Sequence, residues 1–469
     1  MKTLNLYKFK TKPYKHQLAA FKRALKQGYL AVLWEPRLGK SKLIVDWACA
    51  EWQRGNVQRV LIICPLSVVG VWEDEFAEHA PIYYHIHFLE KDDVKVPVDV
   101  HGLSVLLVNY DRAWRRKKVV KKFKPQMVVA DESHRLKRPG ARRSLYMRSW
   151  RKAPYRAILT GTVTTKSYLD VFGQWAFLNW RQFGLHVDDF RHYYLIMGGF
   201  MKKQIKGYRH FDELKAKIKM DSTIRRESQV FDMPPTIDQR VPVFLDSKAM
   251  KAYQKMEYEL FLELKRGEVS DAKNIAVKLL RLQQITGGWI KSDEGNIHQI
   301  STDKLHSAWE RLENLWNDDE RVVVFCRFLP ELRALSQFGV RSGVSTYSLS
   351  GATRREDRDV RRRRFEAKAG PSVFVSQIQT GGLGISLAAA AEVIFYSVTY
   401  SYDDYYQASR RIRGPKQTRT MRYQHLVVPH SIDTDMYSNL QMKQGLLDSI
   451  MGNPKKYARI LEKRLEKRV

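Results

Sequence analysis

Leu38-Gly39-Lys40-Ser41, entered from the apolar run Tyr29-Leu-Ala-Val-Leu-Trp34, is answered about ninety residues later by Val128-Val129-Ala130-Asp131-Glu132-Ser133-His134. The first stretch reads as strand, tight turn and helix, with Gly-Lys-Ser at the helix start, so that backbone amides and one ammonium group meet phosphates. The second ends a buried strand in two adjacent carboxylates, one placed to hold magnesium and the next to polarise water. A Gly-Lys-Ser tripeptide alone arises easily by chance. Both elements, in this order, point to an ATP site. In it Lys40 is expected to reach the terminal phosphates, the Ser41 hydroxyl to coordinate Mg2+, and Gly39, behind Leu38, to permit close backbone approach. Asp131 is the expected magnesium ligand, directly or through water, and Glu132 the general base.

Working outward, short valine- and isoleucine-rich runs recur between amphipathic segments at Tyr29 to Trp34, Val60 to Cys64, Val105 to Val108, Met127 to Ala130 and Ala157 to Leu159. The rhythm returns at Arg321 to Cys326, Ser345 to Leu349, Ser372 to Ser376, Val393 to Ser397 and His425 to Val428. Buried runs alternating with helices predict an α/β fold with two parallel-sheet lobes. From Tyr168 to Ile300 the pattern changes to aromatic and charged helical stretches such as Lys248 to Gly267 and Asp271 to Gln284. The expected organisation is an N-terminal lobe over 1–225 with a helical insertion from about 168, a helical bridge over 226–300, a C-terminal lobe over 301–452, and a basic amphipathic helix over 453–469.

The chain has 469 residues, and 82 lysines and arginines stand against 50 acids, a net charge of +32. Such an imbalance repels itself and calls for a polyanion, with nucleic acid the natural candidate. The charge concentrates in Arg112 to Lys124, Arg135 to Lys152, Arg354 to Arg364 and the tail, whereas a surface that served solubility alone would spread it. No run of about 18 apolar residues exists and Met1-Lys-Thr-Leu-Asn lacks a signal-peptide core, so a soluble intracellular protein without membrane contact is expected, cytoplasmic or, in a eukaryote, nuclear. Cys49, Cys64 and Cys326 are far apart in apolar surroundings and read as core thiols. No zinc is expected.

Two weaker signals join the nucleotide motifs. The Gln17 amide of Tyr14-Lys-His-Gln17 can donate and accept at once, as the edge of adenine requires. Arg410-Arg411-Ile412-Arg413 offers guanidinium groups for charge that develops on the transferring phosphate.

With these companions the chain resembles helicase superfamily 2, and within it the compact, phage- or bacterial-like Swi/Snf-type DNA translocases, over roughly residues 10 to 435. Tyr14 to Gln17 is similar to the glutamine motif. Leu61-Ile-Ile-Cys-Pro-Leu-Ser67 with Val71-Trp-Glu-Asp-Glu-Phe76, then Asn109-Tyr-Asp111, then Leu159-Thr160-Gly161-Thr162 resemble the next motifs. Thr223-Ile-Arg225-Arg226 with Met233-Pro-Pro235 and Leu279-Leu-Arg-Leu-Gln-Gln284 resemble elements particular to the Swi/Snf branch. Ser350-Gly-Ala-Thr353, Thr380-Gly-Gly-Leu-Gly-Ile-Ser-Leu387 and Gln407-Ala-Ser-Arg410 with Arg413 complete the series.

The resemblance implies two RecA-like lobes with ATP and Mg2+ between them and DNA, double-stranded or branched, across the cleft of a monomer. It implies nucleotide contacts from Gln17, Leu38, Gly39, Lys40, Ser41 and Gly384, and catalytic roles for Lys40, Asp131, Glu132, Arg410 and Arg413. Nucleic-acid contacts are implied for Pro65, Ser67, Asn109, Thr160, Gly161, Arg327, Thr380, Gly381 and Gly382. The implied activity is ATP hydrolysis coupled to translocation along duplex DNA. Two alternatives are a strand-separating or annealing helicase, in which the aromatic stretch Phe172 to Tyr194 wedges the duplex, and an ATP-switched clamp with little turnover. The chain departs from the family in three places: Arg37 stands where a glycine is usual, Val163 where a proline is usual, and Tyr400 or Tyr402 replaces a tryptophan. The glutamine-to-arginine spacing is also one residue short, which leaves Arg411 as an alternative to Arg410.

Overall fold

The computed structural model describes residues 7–89, 101–161, 167–198, 204–266, 272–292, 295–381, 386–414, 417–442, 446 and 454–466. They divide into two units, Met1–Asp232 and Met233–Val469.

In the first unit the strands are β1 (Tyr29–Trp34), β2 (Arg59–Ile63), β3 (Tyr84–Phe88), β4 (Leu103–Val108), β5 (Met127–Asp131), β6 (Tyr155–Leu159), the hairpin β7 (Leu195–Gly198) and β8 (Gln204–Tyr208), and β9 (Ser222–Arg225). Seven of them form one sheet in the order β3-β4-β2-β5-β6-β1-β9, every pairing parallel. Alternate residues enter opposite cores: Leu30, Val32 and Trp34 pack on one face while Ala31 and Leu33 pack on the other. Burial on both faces is why these strands read as continuous apolar runs. Helices Lys15–Gln27, Lys40–Gln53 and Val69–His79 cover the first face; Tyr110–Arg115, Lys117–Lys122, Arg142–Arg148 and Leu169–Leu178 cover the second.

The second unit contributes β10 (Thr236–Pro242), the hairpin β11 (Trp289–Lys291) and β12 (Ile297–Gln299), β13 (Arg321–Cys326), β14 (Ser345–Leu349), β15 (Ser372–Gln377), β16 (Glu392–Phe395) and β17 (Met421–Val427). Its sheet, β10-β17-β16-β13-β15-β14, is again wholly parallel. A separate apolar cluster joins helices Ser247–Arg266, Ala272–Thr286, Ile432–Gln441 and Pro454–Glu466. The molecule is therefore α/β, with the two parallel sheets expected of RecA-like lobes.

The stretch read as helical from Tyr168 to Ile300 also holds β9 and β10, one at the edge of each sheet. Most of β10 is exposed, and its Thr-Ile-Asp-Gln-Arg sequence lacks the apolar run of a central strand. Within the Phe172 to Tyr194 stretch Phe172, Trp175, Phe177, Phe183, Phe190 and Tyr194 are buried beneath the sheet, whereas Trp180 is half-buried and Tyr193 exposed. Among the described residues no helix is long and apolar enough to cross a membrane. All three cysteines are buried and free.

Candidate active site

In a parallel sheet the carboxyl ends of the strands share one edge, where ligands of open α/β sheets bind. The first unit places there the turn after β1, Pro65 and Ser67 after β2, Asn109 after β4, Asp131 and Glu132 at the end of β5, and Thr160-Gly161 after β6.

The turn after β1 is built for close packing. Gly39 sits at φ 74°, which favours glycine, and a Cβ there would lie 2.0 Å from Gln17 Nε2, so any other residue would displace the buried Gln17 amide. Arg37, in the usual glycine position, keeps the left-handed conformation at φ 68°. A non-glycine residue pays about 1–2 kcal/mol for it. Beneath the turn the His16 ring lies 2.9 Å from the Leu38 carbonyl, and the buried Gln17 amide accepts from Tyr14 N at 2.8 Å while its Nε2 lies 3.4 Å from both Leu38 O and Gly39 O. Gln17 therefore fastens the turn to the preceding helix. The Lys40 ammonium donates to the Trp34 carbonyl at 2.9 Å and the Glu35 carbonyl at 3.2 Å. Gly161 packs at the same place, its Cβ position 3.3 Å from Pro36 Cδ.

Three sequence motifs meet on Asp131. Its Oδ2 accepts from the buried Trp72 indole at 3.0 Å, its Oδ1 from the Glu132 amide at 2.9 Å, and its carbonyl from the Tyr110 hydroxyl at 2.7 Å. Burial, and then the charge of Glu132, push the carboxyl up to about 7 although Lys40 opposes them. Such a carboxylate lacks positive charge, and a divalent cation would supply it. Glu132 is held at φ 48°, and its Oε2 lies 3.2 Å from His134 Nδ1. Ser133 donates to Gln174 at 2.7 Å, and the Gly173 Cβ position is only 2.0 Å from the Leu136 carbonyl. Helix Leu169–Leu178 therefore supports the carboxylate loop in direct contact.

The edge strand β9 braces the phosphate turn from its other side. Glu35 N donates to Arg225 O at 3.1 Å, Glu227 N to Glu35 Oε2 at 2.8 Å, and the Trp34 indole to Thr223 Oγ1 at 3.2 Å. The remaining loops are less committed. Asn109 Oδ1 caps its helix through Arg112 N, Pro65 is buried, and the Ser67 hydroxyl has no protein partner among the described residues.

In the second unit Arg327 ends β13. Its amide donates to Ser397 Oγ at 2.7 Å and Glu331 Oε2 at 3.1 Å, while its guanidinium donates to Gln283 Oε1 at 2.5 Å and stacks on Tyr400 at 4.0 Å. Of the two tyrosines, Tyr400 is the one that lies against the Arg327 guanidinium. Burial pushes Glu331 up to about 7 against the pull of the Ser397 hydroxyl. Thr380 donates to Gln377 O at 2.9 Å, and Gln377 ties three strand ends, donating to Arg327 O and accepting from Gly351 N, both at 3.1 Å. Gly381 closes the short helix Ile378–Gly381, whereas Gly382 and Gly384 lie outside the described residues.

Arg410 lies over Tyr406 at 4.8 Å; it and Arg413 are half-buried, whereas Arg411 is buried and its carbonyl accepts from Leu387 N. Gln417 fixes this turn by donating to Ala390 O at 2.8 Å and Ile412 O at 3.2 Å. Gln417, Gln377 and Gln174 are positioning groups that the sequence did not mark, because a glutamine cross-link shows only once distant strand ends meet, whereas Gln283 lies in the Leu279 to Gln284 motif.

A profile of the SNF2-related domain matches residues 7–287 and one of the helicase conserved C-terminal domain matches 306–413. The chain is 24% identical over 452 residues to a homologue of SWI/SNF-related matrix-associated actin-dependent regulator of chromatin subfamily A-like protein 1 from Caenorhabditis elegans, covering 91% of this chain and 60% of that protein. It is 23% identical over 401 residues to an uncharacterized ATP-dependent helicase of Mycoplasma genitalium, covering 82% and 37%. The SWI2/SNF2 ATPase core of Sulfolobus solfataricus, solved in complex with dsDNA, is 21% identical with a TM-score of 0.46, covering 97% of this chain and 96% of that one. The chain spans between about a quarter and three fifths of the length of the curated relatives it matches. With the SNF2-related profile covering more than half of it and the helicase conserved C-terminal profile following in order, the chain belongs to the SNF2-related family.

Proposed function

We propose that this ATPase is a DNA-dependent motor that couples hydrolysis to translocation along double-stranded DNA, and so remodels DNA or protein–DNA complexes. The observation that carries the reading is the packing of Gly161 on Pro36 at the edge where Lys40 meets the Trp34 carbonyl. A change at the phosphate turn is felt directly by the Thr160-Gly161 segment, which the resemblance assigns to the nucleic-acid track. Lys40 binds the terminal phosphates, Ser41 and Asp131 hold Mg2+, Glu132 orients the attacking water, and Arg410 and Arg413 neutralise charge on the transferring phosphate. A magnesium ion held by Ser41 and Asp131 would supply the positive charge that the buried Asp131 lacks and act as a Lewis acid on the phosphate. Pro65, Ser67, Asn109, Arg327 and Thr380 hold phosphates of the tracked strand without reading bases. Burial of most of the Phe172 to Tyr194 aromatics in the core favours translocation over strand separation, with the exposed Tyr193 the side chain of that stretch left to meet a duplex. The charge of +32 supports a polyanionic partner.

The test is ATP turnover with and without duplex DNA, joined to displacement of a triplex-forming strand. Duplex should raise turnover and ATP should release the third strand while a fork stays paired. Lys40→Ala and Glu132→Gln should each abolish stimulated hydrolysis, by about 100-fold or more, with the glutamine variant still binding nucleotide. Undiminished turnover in both would refute the site, and turnover indifferent to any nucleic acid would refute the motor.

A further inference from the structure

Less than a tenth of the residues carry +13 of the net +32: between Tyr110 and Lys152 stand 16 lysines and arginines against Asp111, Asp131 and Glu132. Two of those three acids belong to the candidate active site. The stretch forms the crossovers from β4 to β5 and from β5 to β6, both lying on the same face of the first sheet. Their inward side chains, Ala113, Val120, Phe123 and Met147, are fully buried. That anchoring turns the cations outward, and Arg115, Lys117, Lys118, Lys121, Lys122 and Arg142 are all exposed.

Trp114 unites the two crossovers. The Arg115 guanidinium lies 5.5 Å and the Arg142 guanidinium 5.1 Å from its ring centroid, so one planar ring presents two oriented forks. In Lys117–Lys122 the two valines point inward or to the margin, and four lysines share the remaining surface of six residues. Like charges at that spacing oppose a short helix, and a bound polyanion removes the opposition.

We propose that this face is a second nucleic-acid contact, which receives the phosphate backbone of a duplex arm apart from the strand tracked at the strand ends. The inference rests on the motor reading above. Phosphate backbone fits better than an anionic lipid surface: Leu145 is the one large exposed apolar side chain in this stretch, whereas membrane seating needs several to insert. Oriented guanidinium forks, in contrast, match phosphate oxygens two at a time.

The test compares the full-length chain with the variant Lys117→Gln/Lys118→Gln/Lys121→Gln/Lys122→Gln, and separately with Arg115→Gln/Arg142→Gln, after thermal unfolding has shown the native fold in each. Binding is measured by fluorescence anisotropy to a long duplex and to one of about 15 base pairs across a salt series, alongside ATP turnover at saturating DNA. The lysine variant should bind the long duplex about tenfold or more weakly, with a salt slope shallower by about 3. Affinity for the short duplex should change little, and maximal turnover should stay within about twofold. Unchanged long-duplex affinity and slope in both variants would overturn the proposal. So would loss of turnover at saturating DNA, which would place these cations in the motor track, or loss of binding to phosphatidylserine vesicles with DNA affinity intact. A wild-type chain whose turnover ignores DNA, while the variants still lose long-duplex affinity, would sink the motor reading and leave this surface standing.

Discussion

Asp131 keeps its proton up to about pH 7 in the folded chain, whereas an ordinary aspartate loses it near 3.8. Because the unfolded chain gives up that proton first, stability falls as pH rises through this window, and the penalty is complete above it. This buried carboxylate is held at a cost to the fold. Asp131→Asn stays neutral throughout, so its unfolding temperature without nucleotide should gain on that of the unmodified chain as pH rises from about 5 to about 8, while ATP turnover is lost. Glu331 is shifted the same way but is present in both proteins, so their difference isolates Asp131. A constant difference across the range would mean that the carboxylate is ionised in the fold throughout. The sequence made Lys40, Asp131 and Glu132 legible because their chemistry is local: a carboxylate pair at the end of an apolar run, and Gly-Lys-Ser after another. It also flagged Arg37 as a departure, but not that this arginine would adopt a left-handed backbone angle that favours glycine. What Trp72, Tyr110 and Gln174 do for the carboxylate loop was not legible, since each reaches it from elsewhere in the chain.

Elements repeat the pattern. Central strands were readable to within a few residues because burial on both faces leaves an uninterrupted apolar run, whereas the edge strands β3, β9 and β10, where one side is wet and the run breaks up, were not; of the four edges only β14 was read. The basic amphipathic character of the last helix was equally plain, but not its partner. In the structure Pro454–Glu466 docks on Ser247–Arg266, and Arg464 bridges Glu257 at 2.8 Å and Asp435 at 2.6 Å, all three largely buried. Tyr457 donates to the same Asp435 at 2.7 Å. Removing the cation leaves two buried acids facing each other, and breaking such a pair costs about 3–5 kcal/mol. Arg464→Ala should therefore unfold the second unit at distinctly lower urea concentration, and Arg464→Lys should recover only part of the loss because one ammonium cannot fork to two carboxylates. A shift confined to the first unit's transition, or none, would show that the tail helix contributes little.

Across the whole molecule, the net charge of +32 sets a problem that neither sheet answers alone. Both units bury ordinary apolar cores, so the excess of lysine and arginine does not follow from folding and must be read as a demand on a partner. On the proposed motor reading the partner is handled with ATP, and the distribution of charge tells how tightly salt should govern the encounter. If binding proceeds mainly through phosphate contacts, log affinity should fall linearly with log salt by about 0.9 for each contact, so six contacts would lose about three orders of magnitude between 50 and 200 mM. The DNA concentration that gives half-maximal ATP turnover should follow that line, whereas turnover at saturating DNA should move little, because nucleotide chemistry shielded among Lys40, Asp131 and the phosphate turn is screened less than the exposed cations. Measuring both quantities in one salt series separates capture from hydrolysis. A half-saturation value that ignores salt would mean that bases or shape, not backbone charge, hold the nucleic acid, and the clustering of cations on this chain would then need another cause.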